Sequence, residues 1–244
     1  MSKLYVVGIG PGGYEQMTIR AAKVLEKCDI IVGYTVYVDL IADHFAGKEM
    51  LTTPMRQEEK RCRMAFEEVM KGKDTAMICS GDAGVYGMSG LIYEISQEYP
   101  GVDIEIVSGV TAALSGGAVL GAPLMHAFAV ISLSDLMTPW ELIQKRLAAA
   151  ASADMAICLY NPSSKKRKDY LNKACQIVMQ YASPATVCGI VRQIGRDGEF
   201  FEVMTLQQLA EYEADMFTTV FIGNTTTKVI NGRMVTPRGY KLSE

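Results

Sequence analysis

The sequence predicts an α/β protein built in two parts, a mostly parallel sheet first and a mixed sheet after it. Three observations carry this reading. In the first half, short β-branched runs alternate with segments of helical periodicity, each joined by a glycine-rich loop, the pattern of a parallel sheet covered on both faces. After Gly121-Ala122-Pro123 the strand-like runs lie closer together, which favours antiparallel pairing. The chain has 244 residues, 49% hydrophobic and 21% charged, enough to bury one large core or two smaller ones without disulfide or metal staples.

Residues 4–7 (Leu-Tyr-Val-Val) and 30–32 (Ile-Ile-Val) read as strands. Between them, residues 18–26 carry Ile19, Ala22 and Leu25 at helical spacing. A helix is predicted over 58–70, a strand over 75–79 ending at Ser80-Gly81-Asp82, a helix over 89–98 and a strand over 102–107 ending at Ser108-Gly109. No Asp, Glu, Lys or Arg occurs over 106–134, a stretch long enough to span a bilayer, which takes about 20 apolar residues. Its glycines, Pro123 and His126 instead divide it into a short helix, a turn and a strand suited to a buried core. Beyond it, strands are predicted over 128–133, 155–159, 186–191, 200–204 and 217–222, with helices over 140–150 and 167–181. The expected domains are 1–124 and 125–244.

Composition narrows the function. Lys plus Arg number 24 against 27 Asp plus Glu, a net charge of −3, so the basic surplus that phosphate backbones require is missing and nucleic acid is not an expected partner. Six cysteines stand apart, with no C-x-x-C pair and no signal-peptide pattern, and read as free thiols of a reducing cytoplasm. The two histidines, His44 and His126, lie at ligand spacing neither from each other nor from a cysteine, so no protein-built metal site is expected.

Three loops carry candidate chemistry. Gly8-Ile9-Gly10-Pro11-Gly12-Gly13 follows the first strand and satisfies G-x-G-x-x-G, the turn that brings backbone close to a pyrophosphate. A dinucleotide site also wants an acid at the end of the second strand, where Gly33-Tyr34 stand, and Pro11 removes one donor. An NAD(P)-dependent oxidoreductase using this loop is the alternative reading, beside a non-catalytic module that binds a tetrapyrrole or nucleotide. Ser80-Gly81-Asp82-Ala83-Gly84-Val85-Tyr86-Gly87-Met88 and Ser108-Gly109-Val110-Thr111-Ala112 place an acid and unencumbered N–H groups at neighbouring strand ends, where open α/β sheets bind ligands. Read structurally, Asp82 and Thr111 would be helix caps.

In this order the three loops resemble the successive signatures of the tetrapyrrole methyltransferases. Val32-Gly33-Tyr34, Glu59-Lys60-Arg61-Cys62, Gly121-Ala122-Pro123-Leu124-Met125-His126, Ile131-Ser132-Leu133-Ser134-Asp135-Leu136, Tyr160-Asn161-Pro162 and Thr236-Pro237-Arg238-Gly239-Tyr240 are similar to the C17-methyltransferase branch of that family, which serves cobalamin biosynthesis. The resemblance runs over residues 3–242. It implies the tetrapyrrole methylase fold, a homodimer, an anionic tetrapyrrole substrate, and S-adenosylmethionine bound between the two domains.

Carried over by motif, Pro11, Ser80, Gly81, Asp82, Val85, Thr111, Ala112, Asn161, Arg192 and Thr226 would contact the cofactor. The C17 branch is also associated with contraction of the macrocycle, a step that calls for acid–base help; Tyr34, standing where the related uroporphyrinogen methyltransferases carry an acid, could donate and Asp135 could accept, so these are the catalytic candidates. Thr53, Arg56, Lys165, Lys166 and Arg167 are candidates for the substrate carboxylates, within the basic runs Lys60-Arg61-Cys62-Arg63 and Lys165-Lys166-Arg167-Lys168. The opposing reading of either run is a solvated helix face.

Overall fold

A computed structural model describes residues 2–164 and 166–241. It divides into two compact units, residues 1–112 and 113–244.

The first unit runs β1 (Lys3–Gly8), α1 (Ile19–Lys27), β2 (Ile30–Tyr34), α2 (Thr35–Asp39), β3 (Glu49–Thr53), α3 (Glu58–Met70), β4 (Thr75–Cys79), α4 (Ser89–Ser96) and β5 (Asp103–Val107). The sheet order is β3-β2-β4-β1-β5, and every neighbouring pair is parallel. Alternation along each strand feeds two layers. Val7, Ile31 and Ile78 pack with Leu25 of α1 and Val38 of α2. Leu4, Val6, Val32 and Met77 pack with Phe66 of α3 and Ile92 of α4. Thr18 caps α1 by accepting the Ala21 N–H at 3.1 Å, and its hydroxyl donates to the Ser108 carbonyl, so one side chain starts the helix and ties it to the loop after β5. The strand β3 and the single-turn α2 have no counterpart in the predicted elements. Glu49-Met50-Leu51-Thr52-Thr53 is an edge strand with one buried residue, too weakly patterned to announce itself.

The second unit holds α5 (Ala112–Leu120, apart from its first residue), β6 (Gly121–Ala122), β7 (Phe128–Ser132), α6 (Trp140–Ser152), β8 (Ala156–Tyr160), α7 (Tyr170–Val178), β9 (Val187–Arg192), β10 (Phe200–Thr205), α8 (Leu206–Ala210), β11 (Thr218–Ile222), β12 (Lys228–Ile230) and β13 (Arg233–Val235). Its main sheet has the order β10-β9-β11-β8-β7. Only β7 and β8 pair in parallel, so the sheet is mixed, as the spacing of the strands predicted. Where the sequence placed the domain boundary near residue 124, the units meet at 112/113. The segment that changes sides is anchored by pairing: Gly121 and Ala122 align with Met234 and Val235, more than a hundred residues away, and Thr236 donates to the Pro123 carbonyl at 2.7 Å. Among the described residues no helix is long and apolar enough to cross a membrane.

Candidate functional site

At the carboxyl edge of the first sheet three loops interlock through their backbones. The Ile9 N–H donates to the Cys79 carbonyl and the Gly10 N–H to the Gly81 carbonyl, both at 2.9 Å. A Cβ on Gly10 would lie 2.3 Å from the Gly81 Cα, and one on Gly109 would lie 2.1 Å from the Gly81 oxygen. Only glycine allows this approach, and Gly81 itself holds φ +64°. A Cβ on Gly81 would come within 3.6 Å of the Thr111 Cα and 3.8 Å of the Ala112 nitrogen, so Pro11, Ser80–Asp82 and Thr111–Ala112 are gathered at one place.

Asp82 is the polar centre of this arrangement. Its Oδ1 accepts the Gly84 and Val85 N–H groups at 2.8 and 3.1 Å, and its Oδ2 accepts the Gly109 N–H at 3.0 Å. The carboxylate therefore binds the loop after β4 to the loop after β5, a task the sequence reading had not given it. Val85 beside it presents an exposed apolar side chain. The same geometry removes the dinucleotide alternative. The Ile9 and Gly10 donors are spent on carbonyls, Pro11 has none, and the next α-helix begins only at Ile19, with its Ala21 N–H already capped by Thr18.

Further along this edge, Tyr34 and Thr53 are register partners at the ends of β2 and β3. Thr53 is 2% exposed, and its hydroxyl accepts from Arg61 Nε at 3.0 Å, so this candidate for the substrate is consumed inside the protein. Arg61 is itself buried, donates to the Pro54 carbonyl at 3.2 Å, and lies 5.7 Å over the Tyr34 ring. Arg63 forms a bidentate pair with Glu98 at 2.6 and 2.9 Å and a further bond to Glu59. Arg56, at φ +66°, and Lys60 remain exposed, and no ion pair engages either side chain among the described residues.

In the second unit β7, β8 and β9 run the same way, so Ser132, Tyr160 and Arg192 end at one edge of the sheet. Asn161, at φ +52°, donates from Nδ2 to Ser132 Oγ at 3.0 Å, and the Tyr160 hydroxyl accepts the Ala113 N–H at 2.7 Å near the start of α5. Asp135 accepts a 2.6 Å bond from the Tyr170 hydroxyl and lies 3.7 Å from Arg167 Nε. That bond, with burial, pushes the Tyr170 phenol above its ordinary pKa. Arg167 also reaches the Leu133 carbonyl at 3.3 Å, so its guanidinium holds the loop after β7 and is not free for substrate. Lys166 is exposed, and Lys165 lies outside the described residues. Arg192 pairs with Asp215 at 2.8 Å.

Thr226 does not join this group. It follows β11, which runs antiparallel to its neighbours, and so sits at the opposite edge, bonded to Asn224 in a loop fastened to Asp154 ahead of β8. Tyr170 and Ser132 were missed as partners of Asp135 and Asn161. Ser132 lies inside a recognised motif, Ile131–Leu136, and Tyr170 just beyond the basic run Lys165–Lys168, but their pairings form across about 30 residues of chain. All six cysteines are free and buried, and burial pushes Cys28 and Cys79 up to about 11 and Cys62 and Cys175 up to about 12, so none is a thiolate at neutral pH.

A parallel and a mixed α/β unit, with glycine loops gathered at strand ends, make an architecture of the kind that takes ligands at the carboxyl edge of its sheets. The chain belongs to the tetrapyrrole (corrin/porphyrin) methylases, whose family model matches residues 3–210. It is 42% identical, over 98% of its length, to the cobalt-factor III methyltransferase of Priestia megaterium, of which it covers 45%. It is also 42% identical, over 98% of its length, to a probable cobalt-factor III C(17)-methyltransferase of Salmonella typhimurium, of which it covers the whole. The crystal structure of the methyltransferase CobJ matches with a TM-score of 0.91 at 33% identity, covering 97% of this chain and 100% of that one. The chain thus has the tetrapyrrole methylase fold, while spanning about half the length of the first of these relatives.

Proposed function

We propose that this chain transfers the methyl group of S-adenosylmethionine to C17 of an anionic tetrapyrrole, cobalt-factor III or precorrin-3B, with contraction of the macrocycle, as a step of cobalamin biosynthesis. The observation that carries the proposal is the backbone-locked edge of the first sheet. There Pro11, Ser80, Gly81, Asp82, Val85, Thr111 and Ala112 are brought together by glycines that no larger residue can replace. Similarity over almost the whole chain to relatives bearing that activity in their names supports the choice of substrate.

The residues present fit such a cofactor. The loops offer close-approach backbone at Gly81 and Thr111–Ala112, and Val85 supplies an apolar wall. When bound, S-adenosylmethionine supplies a sulfonium-activated methyl group. What the protein adds is positioning and exclusion of water, since transfer to a nucleophilic ring carbon needs little side-chain chemistry. In the second unit Asn161 and Arg192 stay cofactor candidates, and Asp135 with its Tyr170 partner is the acid–base pair available for contraction. Arg56 and Lys166 are the exposed cations for substrate carboxylates. We further propose a homodimer working in the cytoplasm.

The test is anaerobic incubation with S-adenosylmethionine and each macrocycle, followed by mass spectrometry. The product should gain one methyl group. A protein that binds S-adenosylmethionine in calorimetry but methylates neither macrocycle would refute the substrate; one that does not bind it would refute the cofactor.

A further inference from the structure

Resting on that reading, we infer that Arg61, carried on the ring face of Tyr34, is the group in the first unit that grips a carboxylate of the macrocycle, and that Tyr34 is its positioning residue, not a proton donor.

Arg61 is only 5% exposed, yet no carboxylate among the described residues forms an ion pair with it. The nearby acids are engaged elsewhere: Glu59 and Glu98 with Arg63, and Glu58 with the Arg56 N–H. A guanidinium has five N–H donors, and here Nε serves the Thr53 hydroxyl and Nη2 the Pro54 carbonyl, both neutral acceptors. A buried cation without an anion is costly, and neutral acceptors with one aromatic face at 5.7 Å offset only part of that cost. The remaining nitrogen, Nη1, is not among the buried side-chain atoms lacking a partner, so its N–H groups reach solvent. They do so beside Tyr34 and Thr53, at the carboxyl edge of the sheet where such folds take ligands.

Arg63, two residues on, is the contrast: its fork is saturated by carboxylates of the protein itself. One guanidinium in this run already holds carboxylates and the other lacks a planar anion. A tetrapyrrole with carboxylate arms supplies one, and bidentate geometry distinguishes Arg from Lys at such a site. The Tyr34 ring also meets Tyr37 edge-on at 5.0 Å, which fixes the plane on which Arg61 rests.

The experiment measures binding of cobalt-factor III by absorbance titration and of S-adenosylmethionine by calorimetry, together with kcat and KM. It compares the intact protein with Arg61→Lys, Tyr34→Leu and Tyr34→Phe. Arg61→Lys should weaken macrocycle binding by about tenfold or more while leaving S-adenosylmethionine affinity within about twofold. Tyr34→Leu should reproduce the KM effect, and Tyr34→Phe, which keeps the ring, should restore most of it. On the unmutated protein, methyl-esterified cobalt-factor III should bind more weakly than the free acid, and Arg61→Lys should cost it nothing further. The inference is overturned if Arg61→Lys binds the free acid normally, if ester and acid lose equally in that variant, or if Tyr34→Phe is as damaging as Tyr34→Leu. Unmutated protein that ignores the macrocycle altogether would instead overturn the proposed function, and this inference with it.

Discussion

The two units place candidate residues at equivalent points, the ends of strands at one edge of a sheet, and hold them by different means. In the first unit, loops after β1, β4 and β5 are locked backbone to backbone, with glycines at the crossings and a single carboxylate, Asp82, fastening three N–H groups. In the second, side chains lace the edge together: Asn161 to Ser132, Tyr170 and Arg167 to Asp135, Arg192 to Asp215. Backbone locking leaves no room for adjustment, whereas side-chain lacing can be re-drawn by substitution.

From this contrast the largest effects are expected in the first unit. Gly10→Ala should destabilise by roughly 3 kcal/mol or more, because its Cβ would meet backbone that cannot move aside. Gly13→Ala, whose Cβ meets nothing within 4 Å, should stay within about 0.5 kcal/mol. Equal urea midpoints for the two variants would break the comparison. Next comes Asp82→Asn, which turns an amide NH₂ toward one of the backbone donors. About 2 kcal/mol should be lost, along with S-adenosylmethionine binding in calorimetry.

In the second unit Asn161→Ala should cost about 1–2 kcal/mol at its left-handed backbone, and Asn161→Gly less, a difference readable in thermal melts. Asp215→Asn should cost about 1 kcal/mol or less, since both partners of the Arg192 pair are more than a third exposed. Burial pushes the Asp215 carboxyl up, but bonds from Thr218, the Phe217 N–H and Arg192 outweigh it and leave the pKa below the usual range. Its stabilisation is therefore present above the unfolded value, about 3.9, and lost as the pH falls through the lower folded value. The denaturation midpoint of the Asn variant should therefore lie below the parent's at neutral pH, and the two should converge as the pH falls to the acid side of that range. Smallest of all, Thr226→Val should leave S-adenosylmethionine affinity within about twofold, as a residue at the opposite edge should.

Much of the architecture was legible because it rests on local patterns. The helix over Glu58–Met70 and the strand over Thr75–Cys79 appear where apolar periodicity put them. The edge strand β3 and the hairpin of β12 and β13 were not legible, since short exposed strands bury too little to leave a pattern. Of the candidate residues, those marked by glycine loops gathered at one edge. Thr53 and Arg167 did not remain available, because their partners, Arg61 and the loop after β7, are set by how the chain packs and not by how it is spaced.

By itself, then, the sequence determined the α/β class, the parallel-then-mixed order of sheets, the position of the glycine loops and the family they belong to. All of these follow from hydrophobic period and from backbone freedom, which act over a few residues. Only the tertiary structure decided that the units part at 112/113, that Asp82 works as a fastening between loops, that Thr226 lies apart, and that Arg61 is buried without an anion. Each of these depends on which distant groups satisfy a polar atom, and that pairing exists only once the strands have been ordered.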